Sequence, residues 1–228
     1  EAVVGMPEGD GELLGRLDSA ARALVLAASR LGHVCCVTLA ARPWQSRTMQ
    51  AFLPRLAQVW RELDIEVCYA QEVKCRSSGE VPSWVPIADD PLEFAVVREE
   101  IHVRKKKRAM QRMLRRFLGQ RSWKNVLSVG DGSTEQNAMQ DLAFQFSRSC
   151  EPGEQRSLLV KTVKMLEEPD CEQLCTEVQT IAAWLPSLVT LVDDLNIAID
   201  ENEEGVFETH QRLVHLAEGA ADADSLLT

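Results

Sequence analysis

Apolar positions along the chain alternate between helical spacing and short unbroken runs. Leu13, Leu14, Leu17, Ala20, Ala21, Leu24 and Ala28 recur at helical spacing, which predicts a helix over Leu13–Leu31 closed by Gly32. His33–Ala40 (HVCCVTLA) is a continuous apolar run of strand length, β-branched at Val34, Val37 and Thr38. Such a run suits a strand buried on both faces, as in a parallel sheet. Pro43 breaks the chain. Helical spacing returns over Ser46–Leu63, through Met49, Phe52, Leu53, Leu56, Val59, Trp60 and Leu63. Pro54 either kinks this helix or divides it into two. Ile65–Ala70 predicts a second strand, and Gln71–Asp90 is turn-rich and irregular.

The second half repeats the alternation. Arg104–Leu118 predicts a helix with Ala109, Met110, Met113, Leu114 and Phe117 as its apolar stripe, and Gly119 closes it. Val126–Val129 is a third strand, ending in Gly130-Asp131-Gly132. A helix over Thr134–Ala143 follows, with Ser133 or Thr134 as cap and Glu135 and Gln136 in its first turn. Ser147–Gln155 reads as a loop. Leu158–Met165 is a fourth strand, and its interrupting lysines mark it as an edge. Glu168-Pro169-Asp170 opens another helix running to Trp184, with Pro186 beyond its end. Asp193–Glu204 reads as an acidic loop, Gln211–Glu218 as a short final helix, and Ala220–Thr228 as a frayed end.

Alternating β and α units imply an α/β fold. The expectation is a three-layer, Rossmann-like parallel sheet with helices on both faces, with Val34–Leu39, Ile65–Tyr69, Val126–Val129 and Leu159–Val163 as neighbours. Residues 1–12 read as a flexible segment, 13–200 as the α/β domain, and 201–228 as an acidic tail with a short helix.

Charge adds asymmetry to this picture. The 228 residues carry a net charge of −10, yet eleven of the 25 lysines and arginines lie between Arg98 and Lys124. Arg104-Lys105-Lys106-Lys107-Arg108 is followed by Arg112, Arg115, Arg116 and Arg121, while the chain from Glu167 onward is acidic. The basic stretch has only Phe117 as an interleaved aromatic, and the whole chain is acidic. That combination disfavours nucleic acid and favours a solvated helix or one docking an acidic protein surface through Arg112, Arg115 and Arg116. No apolar run reaches the roughly 20 residues of a membrane span. The seven cysteines contain no CxxC pair, which fits free thiols in a reducing intracellular compartment and leaves a cleaved organelle targeting sequence open.

The chemistry concentrates at Lys124–Met139. A strand, an acidic turn and a helix place Asp131 and Glu135 at the carboxyl end of a sheet, where ligands bind in open α/β folds. Four positions apart across the turn, both carboxylates can face one hard cation such as magnesium. The same residues also read as a tight turn with an acidic helix start. The five tryptophans are scattered as core or rim anchors, and the four histidines lack metal spacing.

The ordered set of His33–Pro54, Lys106–Met139 and Lys161–Pro186 resembles the haloacid dehalogenase (HAD) superfamily, and most closely a divergent HAD-like group found in some protists. Together these segments span most of Ala21–Asp200. The resemblance implies three vestiges. Thr38 matches the strand-end hydroxyl that meets the phosphoryl group, although it also reads as a plain β-branched strand residue. Lys106, with Lys105 or Lys107 as alternatives, matches the lysine that neutralises phosphate charge, although it also reads as one charge of a solvated face. Asp131, with Glu135, matches the acidic turn that holds magnesium.

The chain departs from the superfamily at the nucleophile, an aspartate of an Asp-x-Asp motif ending an earlier strand. Upstream of Thr38 stand only Asp10 and Asp18, neither in Asp-x-Asp and neither after an apolar strand. Metal and lysine position and neutralise but do not attack phosphorus. The expectation is therefore a non-catalytic HAD-like module that works through protein contacts, as an accessory or structural subunit of a larger assembly. The alternative is a magnesium-dependent phosphatase whose nucleophile strand lies outside these residues.

Overall fold

The computed structural model describes residues 8–73, 91–118, 125–149, 158–199 and 211. Its elements run α1 (Glu8–Leu31), β1 (Cys35–Thr38), α2 (Trp44–Phe52), α3 (Pro54–Glu62), β2 (Glu66–Tyr69), a 3-10 turn (Ala70–Glu72), α4 (Pro91–Leu118), β3 (Asn125–Gly130), α5 (Ser133–Ser149), β4 (Leu159–Lys164), α6 (Cys171–Thr190) and β5 (Leu195–Ala198). Among the described residues this is a mixed α/β chain with six helices and short parallel sheets. The irregular stretch from Lys74 to Asp90 and nearly all of the expected helix Gln211–Glu218 lie outside the described residues; Gln211 itself is helical.

Local chemistry explains most boundaries. Helix α1 starts at Glu8, five residues before Leu13, because the acidic sequence that opens it suits the positive end of a helix dipole. Pro54 divides the Ser46–Leu63 stretch: it lies at the first turn of α3, where its missing N–H costs nothing. Helix α6 is opened by a reciprocal cap. The Asp170 carboxylate accepts from the Glu172 and Gln173 amides, and the Gln173 side chain accepts from the Asp170 amide.

Every strand pairing among the described residues is parallel, but the strands form two sheets rather than the single one expected. In one, β1 pairs with β2, with Cys35 opposite Glu66 and Thr38 opposite Tyr69. In the other, β4 lies between β3 and β5. Asn125 sits opposite Leu159, Gly130 opposite Lys164, and Lys161 opposite Leu195. Parallel neighbours need crossover connections, which α3, α5 and α6 supply in chain order.

Four further expectations are corrected. The fourth strand is central, not an edge, and Lys161 in its middle is 1% exposed. The supposed acidic loop after Asp193 contains β5, whose Ile197 is buried. Helix α6 runs through Pro186 to Thr190, because Leu185 and Leu188 beside the proline are buried, and that burial outweighs the proline's lost hydrogen bond. Helix α5 also continues to Ser149, into the stretch read as a loop.

The β3–β4–β5 sheet is packed on both faces. Leu127, Val163, Met165 and Ile197 meet α1 and α6 through Leu17, Val178, Ile181, Trp184 and Leu188. Val126 and Val160 meet α4 and α5 through Met110, Ala138, Met139 and Leu142. This is the period-2 alternation of a sheet covered on both sides. Val37 of β1 packs into this second cluster and into a third, formed with Cys68, Ala70, Ala109 and Met113. Helix α4 thereby bridges both sheets.

Candidate functional site at the strand ends

The residues singled out by sequence meet where β1, β3 and α4 converge. Lys106 projects from α4 and is 5% exposed. Its ammonium donates to the Val37 carbonyl at 3.0 Å, one residue before Thr38 at the end of β1. It also donates to Glu135 Oε1, forming an ion pair whose side chains are 6% and 17% exposed. One lysine thus joins the end of β1 to the first turn of α5, 69 and 29 positions away along the chain. Neither Lys105 nor Lys107 takes this place: Lys107 pairs instead with Asp141 on α5 at 2.8 Å.

The Gly130-Asp131-Gly132 turn is shaped around Glu135. A Cβ at Gly130 would fall 2.8 Å from Glu135 Cγ, and one at Gly132 would fall 2.9 Å from Glu135 Oε2. The two glycines therefore make room for the glutamate to fold back over the turn towards Lys106. Helix α5 begins at Ser133, whose hydroxyl donates to Glu99 of α4 at 2.8 Å, so Ser133 ties helix to helix rather than acting as the expected cap.

The remaining candidates are placed differently. The Thr38 hydroxyl oxygen accepts from the Ala40 amide at 3.0 Å, a local turn contact. Asp131 is exposed, and its negative charge reaches Glu177 of α6. With Glu135 engaged by Lys106, Asp131 is the freer of the two carboxylates named for magnesium. Among the described residues, no group of three or more histidine, cysteine, aspartate or glutamate side chains is arranged to hold a metal ion. A cation here would depend on Asp131 and water for most of its roughly six oxygen ligands.

The basic helix is tied back to its own chain at several points. Arg104 pairs with Glu100 at 3.0 Å, and Arg116 with Glu66 of β2 at 2.5 Å. Arg112 and Arg115 are exposed and pair with no carboxylate among the described residues. Exposed pairs of this kind contribute little to stability, on the order of 0–1 kcal/mol, so they leave the face available to a partner.

Three polar residues take roles that the sequence did not reveal. Asp18 is 3% exposed, and its carboxylate accepts from the Arg55 amide at 3.0 Å and the Leu56 amide at 2.8 Å. It caps α3 from another helix, so it is a structural anion and not a displaced nucleophile. Lys161 donates to Asn125 Oδ1 at 2.9 Å and to the Leu188 and Leu191 carbonyls at 2.5 Å each. Glu177 is 4% exposed; its Oε1 accepts from the Leu166 amide at 2.8 Å, while Oε2 is buried without a hydrogen-bond partner among the described residues. Burial, and then the Asp131 charge, push its carboxyl above the usual range, against the Leu166 hydrogen bond. Each signal was present in the sequence as a charge on an otherwise apolar stripe or strand. Near the same strand ends, burial pushes the Cys36 thiol up and outweighs the pull of Lys106, which disfavours a thiolate nucleophile.

No protein family, curated protein or solved structure matches the chain. The fold and site define a parallel α/β protein with a lysine–glutamate pair buried at its strand ends. No helix among the described residues is long and apolar enough to cross a membrane.

Proposed function

We propose that this chain is a non-catalytic, three-layer HAD-like module that acts through protein contacts, as an accessory or structural part of a larger assembly. The observation that carries this reading is the closure of Lys106. Its charge is met inside the fold by Glu135 and by the Val37 carbonyl, so no strong positive charge is left free there to draw in a phosphoryl group. The use of Asp18 as a helix cap supports the same conclusion, since it commits one of the two aspartates upstream of Thr38 to the fold. The arrangement is what a phosphate site becomes when its lysine serves the core: Thr38, Lys106, Asp131 and Glu135 remain as vestiges. The contact surface in this reading is the exposed side of α4, with Arg112, Arg115 and Arg116 facing an acidic partner.

A second reading keeps the chemistry. The exposure of Asp131 beside the Lys106–Glu135 pair favours a magnesium-dependent phosphatase completed by a nucleophile strand outside these residues. Hydrolysis of an aryl phosphate with magnesium, compared between the native chain and Asp131→Asn, separates the two. The module reading expects equal, background rates. Turnover that disappears in Asp131→Asn overturns it. Charge reversal of Arg112, Arg115 and Arg116 should in turn weaken capture of any assembly partner, and unchanged capture removes α4 as the contact.

A further inference from the structure

We infer that a groove between α1, α3 and α6 docks an acidic segment of a partner protein, an inference that rests on the proposal that this chain works through protein contacts. The groove measures about 570 Å³ and lies on the face of the molecule covered by α1 and α6, away from the basic helix α4. Arg16 of α1 and Arg55 of α3 line it.

Arg55 is held at both ends. Its backbone amide is fixed by the Asp18 carboxylate at 3.0 Å, and its Nη1 donates to the Ser19 hydroxyl at 2.7 Å. The Ser19 hydroxyl is itself oriented, donating to the Gly15 carbonyl at 2.8 Å. A guanidinium set in this way loses little side-chain freedom on meeting a carboxylate, and most of its donors stay open. Neither Arg16 nor Arg55 pairs with a carboxylate among the described residues, although the chain as a whole is acidic. Arg16 and Arg55 outnumber Glu12, the one carboxylate lining the groove, so in a chain of net charge −10 this lining is locally positive and its complement is acidic. Glu12, at the same groove, adds an acceptor for a partner amide.

The groove floor favours a peptide over a small molecule. Small-molecule sites are enclosed and lined by aromatic and large apolar side chains, whereas no aromatic residue among the described ones lines this groove. Gly15 lies inside α1, where glycine weakens a helix, and a Cβ there would meet nothing within 4 Å. Packing among the described residues thus gives no reason for the missing methyl. Its absence deepens the groove beside Ser19 and lets an extended backbone come close to the helix.

The test uses fluorescein-labelled twelve-residue peptides of alanine and serine carrying two glutamates at every spacing, with matched glutamine peptides as controls. Fluorescence anisotropy reads their binding to the whole chain. At least one acidic peptide should bind about tenfold more tightly than its amide counterpart, and Arg16→Glu with Arg55→Glu should remove that preference. Gly15→Ala should raise the melting temperature by about 2 °C, and Gly15→Leu should block binding while melting no lower than the native chain, so that its loss of binding cannot be unfolding. Reversal of Arg47, exposed on α2 and outside both the groove and α4, should leave peptide binding unchanged. Absence of an acidic preference at every spacing overturns the inference, as does a preference that survives the groove substitutions. Equal competition by inorganic phosphate would make this a small-anion site, and self-association lost in the Arg16→Glu, Arg55→Glu protein would assign the groove to a second copy; either result overturns it. Binding lost only on reversal of α4 would sink the groove while leaving the protein-contact proposal standing.

Discussion

Lys161→Met tests whether the buried lysine of β4 holds the fold together or burdens it. The ammonium is 1% exposed and gives all three of its protons to protein acceptors. Two of these are the Leu188 and Leu191 carbonyls at the end of α6, which have no intrahelical donors of their own. The third, Asn125 Oδ1, fixes the start of β3. Methionine fills similar space without donors. It would leave three acceptors unmet, two carbonyls at the end of α6 and Asn125 Oδ1 on an exposed residue, each costing up to about 1–3 kcal/mol. Against this stands relief from burying a cation, worth several kcal/mol. The balance is a net loss of about 2–4 kcal/mol, which for a chain of this size lowers the melting temperature by roughly 5–15 °C. Burial pushes the Lys161 ammonium below its ordinary value, against the pull of Asp194 and Asp193. The unfolded chain therefore binds the proton more tightly, and stability should rise with pH between the folded and unfolded values. The methionine variant should lack that rise. Thermal unfolding of both proteins across alkaline pH makes the comparison. A Lys161→Met protein as stable as the native one at neutral pH would refute the reasoning, because it would mean that desolvation cancels the three hydrogen bonds.

Three other substitutions probe the remaining buried charges. Glu135→Leu should destabilise the chain by about 3–5 kcal/mol by stranding Lys106, and Lys106→Met added to it should recover much of the loss; a double-mutant cycle in urea measures the coupling. Glu177 has a raised folded value, so its contribution is present below the unfolded value of 4.5 and is lost as pH climbs through the folded one. Glu177→Gln should therefore flatten the fall in melting temperature above pH 4.5, and an unchanged pH profile counts against the burial argument. Asp18→Ala removes the cap of α3 and should cost about 1–2 kcal/mol by chemical denaturation, with Asp18→Asn retaining part of it.

The amino-acid sequence by itself determined most of the element types and the parallel class. Short runs rich in apolar and β-branched residues at Cys35–Thr38, Glu66–Tyr69 and Val126–Val129 suit strands, and the helical stripes between them supplied cover, on both faces at Val126–Val129. Local chemistry also set Pro54 as a helix start and Asp170 as a cap, since both act within a few residues. What depended on residues far apart was decided by the tertiary structure. Lys161 marked β4 as an edge because a lysine in a strand normally reaches water; here the end of α6, 27 to 30 residues away, supplies acceptors that no local pattern announces. Strand β5 stayed hidden because four residues among aspartates carry too little periodicity, and only pairing with β4 fixes them as a strand. The same holds at the strand ends. Sequence brought forward Lys106, Asp131 and Glu135, but not that Lys106 would turn inward to Glu135 and the Val37 carbonyl, nor that Asp18 would cap a distant helix. Burial of a charge is a property of everything packed around it, so the sequence states which charges exist and the fold decides which of them face water.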